Sequence, residues 1–390
     1  MKLFEQSVRD KGHSSVEVAV QGNTEFALDL YQKLRKTKGN LFFSPYSIST
    51  ALAMTYAGAR GDTEVQIAQA LHFLLNQGQL HPAFALLEAK LGEVGKKGHV
   101  QLRVANTLWP QKGYAFLEGF LALTKQYYGV MITSVDYGHA EAARRTINVW
   151  VEEKTESKIK DLIPPGVLDN LTRLVLVNAI YFKGNWASQF DRGLTRDAPF
   201  WAMPDEQVQV PMMTQEHKFR YGEDNGLQIL ELPYAGDNLS MLVVLPREID
   251  GLAKLEVSLT VENLDRWTRG LSETEVVVFL PRFEITFPFR LDDTLKSMGM
   301  VDAFSGKADF SGMDKEPLFI SAVLHKAFVT VNEEGTEAAA ATAVIMQLKG
   351  PSFPPIVFRA DHPFVFLIRE NSTGSILFLG RVVNPVRRAA

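Results

Sequence analysis

Residues 333–342 read E-E-G-T-E-A-A-A-A-T, and this stretch decides how the rest of the chain is interpreted. Taken alone it favours a surface helix, because alanine has the highest helix propensity. Its neighbours argue against a helix: residues 324–331 are mostly apolar and typical of a strand, and prolines follow at positions 351, 354 and 355. A loop of about twenty residues inside a compact domain is uncommon and usually functional. We therefore predict an exposed functional loop over about 333–355.

Upstream of this loop the chain changes from helical to strand periodicity near residue 171. The helical segments come first: 23–36, 46–57, 63–71, 82–91 and 141–163. The strand segments follow: 174–182, 227–232, 241–245, 276–280, 283–287, 364–369 and 376–383. Within 174–182 only Asn178 is polar, which predicts a central strand covered on both faces. We expect residues 276–287 to form a hairpin around Pro281.

No flexible linker, charge block or fixed-period repeat divides the 390 residues. We therefore predict one α+β domain over 1–390, with helices early and sheets late. The 41 basic and 45 acidic residues give a net charge of -4, which indicates neither nucleic acid nor an anionic membrane as a partner.

The composition also bounds the chemistry and the location. The absence of cysteine excludes disulfides, thiolate metal sites and a cysteine nucleophile. No apolar run reaches the roughly 20 residues of a membrane helix, and residues 1–16 lack the apolar centre of a signal peptide. We expect a soluble chain, and leave its location open between the cytoplasm and a trimmed secreted form.

Motifs of catalysis are missing from the sequence. It contains no H-E-x-x-H, G-x-S-x-G, G-x-G-x-x-G or phosphate-binding G-x-x-x-x-G-K-[ST] pattern. The eight histidines are scattered singly, without ligand or nucleophile spacing. A catalytic triad assembled from distant segments stays open. We predict that the protein is not an enzyme and uses no metal or other cofactor.

Six further segments occur in a fixed order along the chain. They are N-L-F-F-S-P-Y-S-I at 40–48, A-N-T-L-W at 105–109, I-N-V-W-V at 147–151, L-V-N-A-I-Y-F-K-G-N-W at 176–186, L-H-K-A-F-V-T-V at 324–331 and A-D-H-P-F-V-F-L-I-R-E-N at 360–371. With residues 333–342 they closely resemble the serpin superfamily of serine protease inhibitors, from about Asn23 to Pro385. The resemblance implies the serpin fold: helices packed on a large central mixed β-sheet, two smaller sheets and an exposed reactive-centre loop.

The resemblance also implies a mechanism. A target serine protease cleaves the loop, which then inserts as a new strand between the strands at 174–182 and 323–332, while the protease is held as a covalent acyl ester. The hinge of inhibitory members matches at each position: Glu333, Glu334, Gly335, Thr336, Glu337, Ala338, Ala339, Ala340, Ala341 and Thr342. Because alternate residues of a strand share a face, the inward set would be Thr336, Ala338, Ala340, Thr342 and Val344.

Family spacing places the scissile bond between Lys349 and Gly350. Lysine before the bond would suit a trypsin-like protease, whose specificity pocket carries a carboxylate. Cleavage after Leu348 or Met346 by a chymotrypsin-like or subtilisin-like protease stays open.

Five residues outside the loop match positions that control sheet opening in the family. Ser44, Ser47, Asn178 and His325 match a polar cluster beneath the opening, and Trp186 matches the tryptophan at its top. Ordinary core packing and satisfied polar groups would explain the same residues.

The resemblance leaves a rival function and several partners to consider. A non-inhibitory serpin that acts as carrier, chaperone or storage protein is the alternative, but such members tend to carry bulky or charged hinge residues. Only Lys90 lies within 82–91, so we expect no glycosaminoglycan cofactor. The Asn371-Ser372-Thr373 triplet is interpreted as a turn rather than a glycosylation site. We expect a monomer.

Overall fold

The computed structural model describes residues 14–96, 99–336 and 355–386. The helices of these residues are Ser15–Leu34 (α1), Pro45–Tyr56 (α2), Gly61–Ala70 (α3), Gln77–Lys96 (α4), Glu118–Tyr128 (α5), Ala140–Lys154 (α6), Leu252–Ser258 (α7), Val261–Arg269 (α8) and Asp292–Ser297 (α9). The strands are Leu41–Phe43 (β1), Val100–Pro110 (β2), Leu174–Asn185 (β3), Arg196–Met203 (β4), Glu206–Asp224 (β5), Leu227–Pro233 (β6), Leu239–Pro246 (β7), Ser272–Pro281 (β8), Phe283–Arg290 (β9), Ala322–Val331 (β10), Gly335–Thr336 (β11), Ile356–Arg359 (β12), Phe364–Glu370 (β13) and Ile376–Val382 (β14).

Local chemistry determines where the first helices begin. At α1 the Ser14 hydroxyl accepts from the Glu17 N–H at 3.3 Å and the Glu17 carboxylate accepts from the Ser14 N–H at 2.7 Å, so the helix begins eight residues before the predicted segment. In the predicted segment 63–71, Thr63 and Gln66 have the spacing of a capping box, but no such box forms. Helix α3 begins at Gly61, and the Thr63 hydroxyl instead accepts from the Asp309 N–H at 2.9 Å.

Two hydrogen-bonded sheets organise the described residues. The central sheet has the order β2-β3-β11-β10-β9 and is mixed, because β3 and β10 run parallel while its other pairs are antiparallel. The second sheet has nine strands in the order β1-β14-β13-β7-β6-β5-β8-β12, with β4 on β5. The predicted α+β class, with helices against a mixed central sheet, is confirmed.

The two smaller sheets expected beside the central sheet are joined into the nine-stranded one. Strand β5 has 19 residues, long enough to pair with β4 over its first part and with β8 and β6 over its second. The hydrogen-bonded ladder is therefore continuous from one expected sheet to the other.

The hairpin expected around Pro281 was wrong. Strand β8 ends at Pro281 and belongs to the nine-stranded sheet, whereas β9 begins at Phe283 and pairs with β10 in the central sheet. A single intervening residue, Arg282, is too short for the two-residue loop that a tight hairpin needs. The chain therefore passes from one sheet into the other at this point.

Strand β3 lies in the middle of the molecule. Every residue from Leu174 to Phe182 is buried, which fits the prediction of a strand covered on both faces. Leu176 and Ile180 pack into the larger apolar core, while Val175 and Val177 pack into a second core with residues of α6. A strand that inserts between β3 and β10 would therefore have one face packed against each of the two apolar cores.

Candidate functional site

The loop begins by folding back into the central sheet. After β10 ends at Val331, a turn brings β11 between β10 and β3, antiparallel to both. Thr336 stands opposite Val331 on one side and Gly184 on the other. The first residues of a strand between β3 and β10 are thus already in the sheet. The rest of the predicted hinge, 337–342, and the predicted Lys349-Gly350 bond lie outside the described residues.

Glycine is required where the loop enters the sheet. Gly335 has a φ of 152°, a conformation that residues with a side chain rarely adopt. A Cβ at this position would stand 2.1 Å from the carbonyl oxygen of Gly184. Any side chain at 335 would therefore push the hinge away from β3.

Glu333 is held by charge and by hydrogen bonds. Its buried carboxylate accepts from the Arg282 Nε at 2.8 and 2.7 Å and from the Thr195 hydroxyl at 2.5 Å. Burial alone raises the pKa of the Glu333 carboxyl, but the hydrogen bonds from Arg282 and Thr195 outweigh it, so the pKa lies below its usual value. The carboxylate is therefore charged near neutral pH and fixes the end of β10 to the segment after β8.

The backbone of the turn is tied to the segment that follows β3. The Trp186 N–H donates to the Glu334 carbonyl at 2.9 Å, and the Phe190 N–H donates to the Glu333 carbonyl at 2.8 Å. The Trp186 indole N–H donates to the Asn332 carbonyl at 3.0 Å. The carboxylate of Glu334 also pairs with Arg192. These bonds hold the start of the loop against the carboxyl end of β3.

The four predicted polar residues do meet beneath the sheet. Asn178 of β3 stands directly opposite His325 of β10, and their side chains are hydrogen-bonded to each other. The Ser44 N–H donates to His325 Nε2 at 3.3 Å, and the Asn178 amide donates to the Ser47 hydroxyl at 2.7 Å. The cluster therefore spans the boundary between β3 and β10 and fastens it to α2.

The two hydrogen bonds of the His325 ring require a neutral histidine, because one ring nitrogen must accept and the other must donate. Burial lowers the pKa of His325 to about 3. Because Nε2 accepts from Ser44, the ring proton is assigned to Nδ1, which then donates to the Asn178 carbonyl oxygen. Inserting a strand between β3 and β10 would break this bond, because it would separate Asn178 from His325.

Three further residues belong to the site and were not singled out from the sequence. Asn106 joins the polar cluster, because its Oδ1 accepts from the Ser47 hydroxyl at 3.1 Å and its Nδ2 donates to the Ser47 carbonyl at 3.1 Å. It lies in the quoted A-N-T-L-W motif as the one amide in an otherwise apolar segment, which was a usable signal. Arg282 and Tyr234 carry no local signal of their role.

Over 14–96, 99–336 and 355–386 no group of three or more histidine and acidic side chains is placed to hold a metal ion. Within those ranges no helix has the length and apolarity needed to cross a bilayer.

A family model described as serpin (serine protease inhibitor) matches residues 21–385. The chain belongs to the serpin family. The turn at the end of β10, Gly335 and the hydrogen bonds between β3 and β10 lie within the matched residues.

Named relatives indicate the kind of serpin. The chain is similar to the human leukocyte elastase inhibitor, with 47% identity over 384 residues that cover 95% of this chain and 100% of the relative. It is similar to human serpin B3, with 44% identity over 388 residues that cover 94% of this chain and 99% of the relative. The structure of human thyroxine-binding globulin with thyroxine superposes with a TM-score of 0.88 at 34% identity, covering 96% of this chain and 100% of that one.

These names favour an inhibitor over the non-inhibitory alternative. The named relatives are protease inhibitors rather than enzymes. The fold alone would not decide, since a thyroxine-binding protein shares it. A trypsin-like target finds no support in the comparisons, because the relative that names its protease is an inhibitor of leukocyte elastase.

Proposed function

We propose that this serpin inhibits serine proteases as a suicide substrate, through insertion of its cleaved loop between β3 and β10. The observation that carries the proposal is β11: Gly335 and Thr336 already pair with β3 and β10, so the new strand has a formed end from which to extend. The small residues at 338, 340 and 342 would follow Thr336 on the same face.

The chemical step is supplied by the protease. Its serine oxygen attacks the carbonyl carbon of the scissile bond, the C–N bond breaks, and the serine proton passes through the protease's histidine to the departing nitrogen. That nitrogen becomes the amino terminus of the C-terminal part of this chain, whose strands β12, β13 and β14 are paired in the nine-stranded sheet. The N-terminal part stays attached to the protease as an ester. Once cut, the loop is no longer held at its far end, and the residues from 337 to the cleaved bond are free to enter the sheet.

Insertion competes with hydrolysis of that ester. At about 3.3 Å per residue, a strand of some fourteen residues carries the attached protease roughly 45 Å from where it was bound. Insertion breaks the parallel pairing of β3 with β10 but forms two antiparallel ladders in its place, so the number of backbone hydrogen bonds rises. The gain in hydrogen bonds and apolar burial drives the displacement that distorts the protease.

For the target we propose a protease that accepts an apolar residue. Residues 343–348 read A-V-I-M-Q-L, and the elastase inhibitor relative supports a target with a small or apolar specificity pocket. Cleavage would then follow Met346 or Leu348. The bond after Lys349 remains the site that family spacing predicts.

Denaturing gels test the proposal, since a covalent ester survives boiling in detergent. The serpin should form a higher-mass band with leukocyte elastase or chymotrypsin but not with the same protease after its serine is replaced by alanine. Mass spectrometry of the released fragment assigns the bond, because the fragment begins at Gln347, Lys349 or Gly350 for cleavage after Met346, Leu348 or Lys349. Cleavage without a covalent band for every protease, trypsin included, would contradict the proposal.

A further inference from the structure

Tyr234 lies directly beneath the point where the loop enters the central sheet. Its ring is fully buried, stacked on Trp186 with centroids 4.7 Å apart and planes at 14°. Its ring is also nearly perpendicular to that of Phe182 in β3, with the ring centroids 5.1 Å apart. Packing against these two rings fixes the position of the tyrosine, and neither contact needs its hydroxyl group.

The hydroxyl has a separate partner. Tyr234 Oη lies 2.9 Å from the Thr336 side-chain oxygen, and both groups are fully buried. Burial raises the pKa of the Tyr234 phenol, and the hydrogen bond with Thr336 offsets only part of this, so the phenol keeps its proton. A buried hydroxyl without a partner is costly, so each of the two groups stabilises the other in place.

The backbone around this hydrogen bond leaves room for it. Gly184 stands opposite Thr336 in the sheet, and a Cβ at Gly184 would come within 2.9 Å of the Tyr234 ring. A Cβ at Gly335 would strike the Gly184 carbonyl. Gly184 and Gly335, which are 151 residues apart in the chain, thus leave the space needed for Tyr234 to contact Thr336.

We propose that Tyr234 is a positioning residue for loop insertion: its hydroxyl docks Thr336 so that the first rung of the inserting strand is formed before the loop is cut. The inference rests on the proposed function and deepens it. Fixing a residue in a strand costs conformational entropy, and a docked Thr336 has already met that cost when the bond is cleaved. Insertion then extends an existing strand end, which makes it faster relative to hydrolysis of the ester.

Tyr234→Phe removes the hydroxyl while keeping both ring contacts. A hydrogen bond contributes about 1 kcal/mol, so insertion should slow about fivefold while loop cleavage keeps its rate. The chain has no cysteine, so Ala341→Cys gives one labelling position on the face of the strand opposite to Thr336. A fluorophore there reports insertion directly, and the moles of serpin consumed per mole of protease inhibited report the competition with hydrolysis.

A matched control separates docking from general loss of a buried hydroxyl. The Tyr31 hydroxyl is also buried and donates to Glu256 at 2.9 Å, but on α1, away from the central sheet. Tyr31→Phe should change the free energy of unfolding and leave the insertion rate unchanged. Thr336→Ser, which keeps the hydroxyl, should insert at a rate within about twofold of the unmodified protein.

The pair is tested by a double-mutant cycle. Thr336→Val removes the other partner, so the double variant Tyr234→Phe, Thr336→Val should insert no more slowly than the slower single variant. An unchanged insertion rate in Tyr234→Phe, additive effects in the double variant, or the same slowing in Tyr31→Phe would each overturn the proposal.

Failure of the proposed function can be told apart from failure of the docking. If no protease is trapped, the loop can still be nicked within 343–348 by a metalloprotease, which forms no acyl ester. The labelled loop then reports insertion without any inhibition. Slower insertion of nicked Tyr234→Phe than of the nicked unmodified protein supports the docking, and equal rates refute it.

Discussion

Thr336→Arg tests the race between insertion and hydrolysis most directly. Thr336 is fully buried between β3 and β10, with its side chain against Tyr234. An arginine there must either enter this packed layer or leave the sheet with the hinge. Recognition of the scissile bond should not change, because the substitution lies ten or more residues before 346–350 in the chain.

Three energetic costs set the size of the expected effect. The hydrogen bond to Tyr234 contributes about 1 kcal/mol, and a longer side chain in a packed site costs typically 1–3 kcal/mol. Burial of an unpaired charge adds to both. Together they exceed about 3 kcal/mol, and since 1.4 kcal/mol is a factor of ten, insertion should slow by at least a hundredfold.

The assay compares cleavage with trapping. The variant should be cut at a rate similar to the unmodified serpin, yet form little covalent complex and release active protease. Glu337→Arg, which the alternation of the strand places on the opposite face, is the control and should keep more inhibition. If Thr336→Arg traps protease as efficiently as the unmodified protein, 333–342 does not insert as described.

Three further predictions follow from the same features. A cut within 343–350 should raise the melting temperature, because the inserted strand adds a ladder; an equal or lower value in calorimetry would favour a non-inhibitory serpin. Burial lowers the pKa of His81 to about 4, below the value of about 6.5 in the unfolded chain, so the unfolded state binds more protons and stability should fall as pH drops below 6.5. His81→Gln should therefore gain about 2 kcal/mol relative to the unmodified protein between pH 7 and pH 5 in urea unfolding, and a constant difference would exclude this cause. Glu333→Gln should lower the unfolding free energy by about 1.5–3 kcal/mol through the weakened bond to Arg282, and an unchanged urea midpoint would show that the ion pair is not stabilising.

Much of the fold was predictable because buried segments have recognisable patterns of apolar residues. The run 174–182, apolar except for Asn178, predicted a strand covered on both faces, and β3 is buried throughout that range. The strands predicted at 364–369 and 376–383 were also recovered, as β13 and β14, which pair antiparallel. Segment boundaries were less accurate, as at α1, because a capping box at Ser14 extends the helix beyond its amphipathic part.

The candidate site also contains residues that the sequence predicted and contacts that only the structure shows. The roles of Gly335 and of the small residues after it were predicted from the sequence, because backbone freedom and small side-chain size are properties of single residues. His325 and Asn178 were proposed from their motifs, and only the parallel register of β3 and β10 sets them opposite each other.

By itself the sequence predicted the hinge and, through the resemblance of its motifs, the family. It also predicted the central place of β3, since periodicity and residue type act over a few neighbouring positions. It could not show that β8 and β9 belong to different sheets, because a period of two is the same in either sheet. Nor could it pair Arg282 with Glu333 or Tyr234 with Thr336, partners that are 51 and 102 residues apart. Those contacts depend on which strands are neighbours and in what register, and that is decided only when the whole core packs.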